Sequence, residues 1–395
     1  MQWLRHIGAL NLLLIALPVA LYAHWTHQSA VFVFLAACIA IIPMAAWMGR
    51  STEMLAARLG PGIGGLLNAT FGNAAELIIA LIALRRGLTE VVKASITGSI
   101  LGNLLLVLGA SFFFGGLRFR SQRFSATVAG MSGTLLFIAV IGLLIPAVFH
   151  FHLHFHHGEV IERAISLQIA VVLFVSYLLM LIFSLRTHSH LYDPVQMELT
   201  DDADLKAEEK PHWPIWVSSL VLLISTIGVA VISELLVGAV EGARASLGMT
   251  EVFVGVIVIA IVGNAAEHSS AVLFALKNQM DLAYQIAVGS ALQIALFVAP
   301  VLVFASYLPG FGRMDLVFTL LEVISVAAAV LAVSLVAYDG ETNWFEGFLL
   351  IAAYVILAIA FFNLPHEKKS SPADPQHAQR LSLPCATAGL SSDAV

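Results

Sequence analysis

Charge is what this chain has least of. Of its 395 residues only 11% are Asp, Glu, Lys or Arg, while 59% are hydrophobic. A soluble fold of that size cannot hide so much apolar surface, so an ordinary globular protein is excluded and a bilayer is the expected solvent. The net charge of -6 comes with no basic stripe, which argues against a nucleic-acid partner. Cysteine is almost missing as well. Cys38 falls in a predicted helix and Cys385 in the carboxyl tail, so neither a bridge nor a thiolate metal site is expected. Nor is there a nucleophile or metal triad of the kind an intramembrane enzyme needs, so an enzyme with a bound cofactor is not expected.

What is present in quantity is the long apolar run. A spanning helix needs roughly 20 mostly apolar residues, and windows poor in charge predict spans near 7–23, 29–48, 62–84, 94–114, 124–148, 163–185, 213–236, 251–276, 284–307, 314–337 and 343–362. The fold class is therefore an all-α polytopic membrane protein of about eleven transmembrane helices. The first run follows Arg5 and ends Ala20-Leu21-Tyr22-Ala23, so a signal peptide is the alternative there. Counting Lys and Arg places ten on the amino-terminal side and nine on the other, a slight lean to an amino terminus in the cytoplasm of a bacterial inner-membrane protein.

One string occurs twice. Gly72-Asn73-Ala74-Ala75-Glu76 returns as Gly263-Asn264-Ala265-Ala266-Glu267, and the same shift of 191 positions carries Gly98-Ser99 onto Gly289-Ser290. Two matches in one register mark an internal duplication. Upstream, Thr52-Glu53 pairs with Ser233-Glu234, with a longer link to the repeated string in the second half. The organisation predicted is an N-terminal helix (1–28), a five-helix repeat (29–186), a linker (187–212), a second five-helix repeat (213–362) and a disordered tail (363–395). Five spans per repeat reverse the second repeat in the bilayer, and inverted repeats are a transporter's architecture.

The repeated string carries the chemistry. A carboxylate in the hydrocarbon layer is costly unless it faces water, a partner or an ion, and Glu76 and Glu267 both sit there. Each follows a Gly-Asn pair that loosens the helix and frees backbone carbonyls, which makes Glu76, Glu267, Asn73 and Asn264 the candidate metal residues. Calcium takes six to eight hard oxygens, and two glutamates neutralise it. When the ion leaves, two adjacent negative charges in a dry site do not both persist, so protons replace it. Ser99, Asn103, Ser290 and Gln293 are the neutral supporting candidates, with ordinary interhelical hydrogen bonding as the competing account. Glu53 and Glu234 are placed in a vestibule or simply at the interface. His268, one residue past Glu267, points about 100° away around the helix and is a weaker relay candidate. Glu322 has no duplicated mate.

Two clusters stand apart. Asp193 through Lys210 concentrates seven carboxylates against two lysines and reads as a solvated linker or a cation-sensing element. His150, His152, His154, His156 and His157 alternate with Phe and Leu, as an interfacial loop or a transition-metal collector.

At the repeated string the chain resembles the cation/proton exchanger (CAX) family of the calcium/cation antiporter superfamily, over nearly all of 29–362. Gly72 to Ile78 reads Gly-Asn-Ala-Ala-Glu-Leu-Ile where the family's first signature is usually Gly-Asn-Ala-Thr-Glu-Leu-Ile, and Gly263 to His268 matches the second in full. The resemblance implies eleven spans with inverted repeats, an acidic cytoplasmic linker, calcium held by Glu76 and Glu267, and alternating access. The sodium-coupled branch carries Gly-Thr-Ser or Gly-Ser-Ser followed by Pro-Glu or Pro-Asp, which these positions lack. Ca²⁺ and protons are the expected partners, together with the bilayer. The same fold working on sodium, potassium or manganese is the first rival, and a passive channel with a glutamate ring is the second. Oligomeric state, homo-oligomer included, is left open.

Overall fold

The computed structural model describes residues 11–153, 158–191 and 213–364. The acidic run at Asp193–Lys210, the histidines at 154, 156 and 157, and the tail beyond 364 lie outside the described residues. Twelve helical segments are described: α1 Leu13–Trp25, α2 Ala30–Phe71, α3 Ala74–Arg85, α4 Thr89–Arg118, α5 Ala126–Leu153 and α6 Gly158–Ile182. After the linker come α7 Ile215–Leu247, α8 Glu251–Gly263, α9 Ala265–Leu276, α10 Met280–Ala305, α11 Leu320–Val336 and α12 Trp344–Phe362. Among the described residues seven helices are long and apolar enough to cross a membrane, or eight if α8 and α9, bent by 59°, are one broken span. One short antiparallel pair, β1 Gln122–Arg123 with β2 Glu341–Thr342, ties the loops before α5 and α12.

Local chemistry sets several helix starts. The Ser29 side chain accepts from Phe32 N at 3.3 Å to begin α2, and Thr250 does the same for Phe253 N at 3.0 Å to begin α8, each satisfying an amide that the first turn leaves without a partner. Gly248, at φ 67°, closes α7 in the left-handed conformation that glycine adopts without strain.

The span edges differ from the hydropathy windows at one place that matters. The second and third windows, 29–48 and 62–84, are divided differently: α2 runs 42 residues through Phe71, and the chain breaks at Gly72-Asn73. Apolar side chains continue through that break, so hydropathy does not register it. Nor is α2 straight. A Cβ on Gly64 would lie 2.3 Å from the Ala56 carbonyl oxygen, whereas eight residues of straight helix rise about 12 Å. The helix folds over between them, where Pro61 removes a backbone donor.

Burial separates centre from periphery. The central windows of α4 and α10 are each 72% buried, against 22% for α6 and α12. Phe137, Leu179, Leu223 and Ile356 point outward and are well exposed, as lipid-facing residues must be. With lipid as apolar as leucine, helices associate through close packing and polar contacts rather than a hydrophobic drive, and small residues at the centre serve that purpose. A Cβ on Gly98 of α4 would sit 2.1 Å from Val256 O of α8.

Candidate cation site

The two repeated strings form helix breaks. Asn73, at φ -105° and ψ 27°, interrupts the chain before α3, and Asn264, at φ -91° and ψ 6°, does so before α9. Glu76 and Glu267 thereby occupy the first turns of two short helices, at the ends where unpaired amides gather.

The asparagines are cross-linked between halves. Asn264 Nδ2 donates to Ser99 Oγ at 3.0 Å and to Ala260 O at 2.8 Å, while Ser290 Oγ donates to Asn73 Oδ1 at 3.0 Å. The asparagine of each string is thus bonded to the serine 191 positions from its own half's serine. Asn103 Nδ2 closes the network, donating to Asn264 Oδ1 at 3.1 Å and to Ser290 Oγ at 2.9 Å, and Asn73 Nδ2 donates to Gln293 Oε1. The side-chain oxygens of Asn73 and Asn264 both accept hydrogen bonds in this conformation, so the two residues brace the break. Asn103 and Gln293 lie at π-helical stretches, Gly102–Val107 in α4 and Ile294–Val298 directly after Gln293 in α10. Such widenings are frequent at functional sites.

Glu76 and Glu267 face one cavity of about 550 Å³, whose wall includes Glu53, Gly263, Ser290 and Gln293. Glu76 lies close against Gly263, where a Cβ would stand 3.4 Å from Glu76 Cγ. Around the two breaks, three buried oxygens have no hydrogen-bond partner among the described residues: Glu76 Oε2, Glu267 Oε2 and Asn103 Oδ1. A buried oxygen left unpaired is costly, and hard oxygens in that condition are what a divalent cation or a proton satisfies. No group of three or more His, Cys, Asp or Glu suited to a metal occurs among the described residues; the side-chain oxygens gathered around the breaks include those of two carboxylates and of the Asn73, Asn103, Asn264 and Gln293 amides.

The cavity extends to one side only. Its wall continues along α9 through Ser269, Ser270 and Leu273, along α10 through Leu282, Gln285 and Ile286, and along α2 from Pro43 to Glu53, and it includes nothing of α3 beyond Glu76. Glu53 is in that wall. Glu234 is not: it pairs with Arg86, just past α3. His268 is absent from the cavity wall, and its Nε2 is buried without a partner among the described residues.

The sequence profile of the sodium/calcium exchanger protein family matches residues 29–186 and 217–363. The chain belongs to this family. It is 47% identical over 359 residues to a "Ca(2+)/H(+) antiporter" of Aphanothece halophytica, covering 89% of this chain and 96% of that one. It is likewise 47% identical over 349 residues to the "Ca(2+)/H(+) antiporter ChaA" of Bacillus subtilis (strain 168), covering 88% and 96%. Among solved structures, native YfkE superposes with a TM-score of 0.76 at 43% identity, over 90% of this chain and 100% of that one.

In this exchanger-family chain several polar groups were invisible to, or unassigned by, motif reading. Ser269, Ser270 and Gln285 line the cavity. Gln285 stands four and eight residues before Gly289 and Gln293, so the helical period on α10 was the signal that finds it. Glu322 is structural: Thr319 N and Oγ1 donate to its Oε2 at 2.9 and 2.8 Å, and Thr97 Oγ1 donates to its Oε1 at 3.2 Å. That is the capping box of α11. His150 Nδ1 lies 3.0 Å from Glu162 Oε1, away from the cavity wall.

Proposed function

We propose that this chain exchanges Ca²⁺ for protons across a membrane, with Glu76 and Glu267 carrying either the metal or the protons. The observation that carries the reading is that these two carboxylates, each at a duplicated helix break, face one cavity and each keep a buried oxygen without a hydrogen-bond partner among the described residues. Two carboxylates with Ca²⁺ are neutral, and so are two carboxylates with two protons. Emptied of both they carry two like charges, and a pair of unit charges about 4 Å apart at an effective dielectric near 20 repels by about 4 kcal/mol. At about 1.4 kcal/mol per factor of ten, that repulsion suppresses the empty state by about three orders of magnitude, and this is what couples the two fluxes.

The organisation proposed with it is an N-terminal helix (1–28), repeats at 29–186 and 213–362 in inverted orientation, a linker at 187–212 and a tail at 363–395. With the amino terminus in the cytoplasm of a bacterial cell, α1 crosses outward and α2 returns. Glu53 and the cavity mouth then face the cytoplasm, where the ion is collected. Asn73, Asn264, Ser99, Asn103, Ser290 and Gln293 hold the two breaks in register, and Asn103 Oδ1 supplies an additional oxygen. His268 is left out of the proton path.

The test uses purified protein in acid-loaded vesicles with a pH dye. Added Ca²⁺ releases lumenal protons with wild type, and Glu76→Gln and Glu267→Gln each reduce the signal by about 100-fold or more, since loss even of residues behind metal ligands costs 10–100-fold. Because the metal binds only deprotonated ligands, acidifying the calcium-loading face raises the apparent KM for Ca²⁺, by up to about 100-fold per pH unit if two protons compete. Unchanged proton release in both variants would falsify the shared-site reading.

A further inference from the structure

On the side away from the cavity mouth, Arg86 and Glu234 form an ion pair that joins the end of α3 to α7. Gly238, one turn beyond Glu234, makes room for the guanidinium: a Cβ there would lie 2.9 Å from Arg86 Nη1. Each partner has a counterpart in the duplication. Arg86 moved by 191 positions is Lys277, the residue after α9, and Glu234 is matched by Glu53. Those counterparts belong to the mouth. Glu53 of α2 and Leu273 of α9 line the cavity, and Lys277, just past Leu273 on the same side, holds its Nζ 6.0 Å from the centre of the Phe274 ring and makes no ion pair among the described residues.

We propose that these four residues are two alternating gate pairs: Arg86 with Glu234 closes the site on one side in the conformation seen here, and Lys277 with Glu53 closes the other side when the first pair parts. This rests on the antiport reading above. The side chains of Arg86 and Glu234 are 41% and 55% exposed, and an exposed pair contributes little, so each gate biases a balance and does not lock it. The two are also unequal in kind. A guanidinium grips a carboxylate with a planar fork where an ammonium offers a point charge, which tilts the balance toward the conformation seen here.

The test reads accessibility at two duplicate positions, Ile82 on α3 and Leu273 on α9. Single-cysteine reporters Ile82→Cys and Leu273→Cys, each in a Cys38→Ala, Cys385→Ser background, are labelled with a charged, membrane-impermeant maleimide. Arg86→Glu is expected to raise labelling at 82 and lower it at 273, by about two- to five-fold for a solvent-exposed pair, and adding Glu234→Arg restores both. Lys277→Glu is expected to move both reporters in the opposite sense, and Lys277→Arg to move them as Arg86→Glu does. Should a charge reversal fail to elute as a single species, Arg86→Gln and Lys277→Gln carry the same comparison. Labelling that ignores the substitutions, that shifts alike for Arg86→Glu and Lys277→Glu, or that the swapped pair does not restore, overturns the gates. Labelling needs no transport, so the two readings separate. Reciprocal labelling in a chain that releases no protons removes the antiport reading alone, and working exchange with unresponsive reporters removes the gates alone.

Discussion

Gly98 and Gly289 stand at the same step of the duplication, yet a methyl group on Gly98 would meet Val256 O at 2.1 Å while one on Gly289 would meet nothing within 4 Å. The contrast extends around them. Val91, Ala94 and Ser95 of α4 pack directly on Gly255 of α8, whereas their counterparts Leu282, Gln285 and Ile286 of α10 line open space. Helix α7 lies along α3 more extensively than α2 lies along α9. One sequence pattern, written twice, is thus packed shut on one side of the glutamates and left open on the other. The duplicated positions are not identical: Ala94 and Ser95 stand against Gln285 and Ile286, and Arg86 against Lys277. Two unlike halves have two unequal ways to break their symmetry, and the molecule is seen in one of them.

The comparison is broken most severely at the asparagines. Asn264 takes part in three side-chain hydrogen bonds and Asn73 in two, all within the buried centre. Asn264→Ala is expected to destabilise by about 2–3 kcal/mol and Asn73→Ala by about 1–2 kcal/mol, since each orphaned buried group costs about 1–3 kcal/mol. Thermal unfolding in one detergent gives the order, and an equal loss from both would mean that the two breaks are braced alike. The glycines come next. Gly98→Ala has to push α4 away from α8, at about 1–3 kcal/mol for overpacking, while Gly289→Ala is expected to leave the melting temperature within measurement error and to slow exchange, because its methyl obstructs the closure of the mouth. A Gly98→Ala protein as stable as wild type would mean the closed side is not packed as described. The last change belongs to neither side: Thr319→Ala removes the cap of α11 and is expected to cost about 1 kcal/mol, without altering the apparent KM for Ca²⁺.

Most of the candidate site was legible because the strings that build it are short, polar and repeated in an apolar chain. Glu76 and Glu267 stand out wherever charge is scarce, and Ser99, Asn103, Ser290 and Gln293 come with them as the polar residues on the helices that follow. What hydropathy misses is backbone geometry. The break at Gly72-Asn73 lies inside an apolar run, so 62–84 reads as one span although the chain divides there, and the π-helical stretches at 102–107 and 294–298 have no compositional mark. Arg86 was missed for a different reason: an arginine at a helix end reads as a topological marker, and its partner Glu234 lies 148 residues away. Setting every charged residue beside the residue 191 positions off brings Arg86 onto Lys277.

The indole rings of Trp47 and Trp213 stack with centroids 5.8 Å apart and planes inclined by 16°. Trp47 is in the cavity wall, and Trp213 immediately precedes α7, whose far side is held by Arg86. Rings so close and so nearly parallel couple their electronic transitions and quench each other's emission, and both effects fall away steeply with separation. Any rearrangement that slides α2 past the start of α7 therefore changes the near-ultraviolet dichroism and the fluorescence yield of this pair, which makes it an optical gauge, built from natural residues, of how far the mouth stands open.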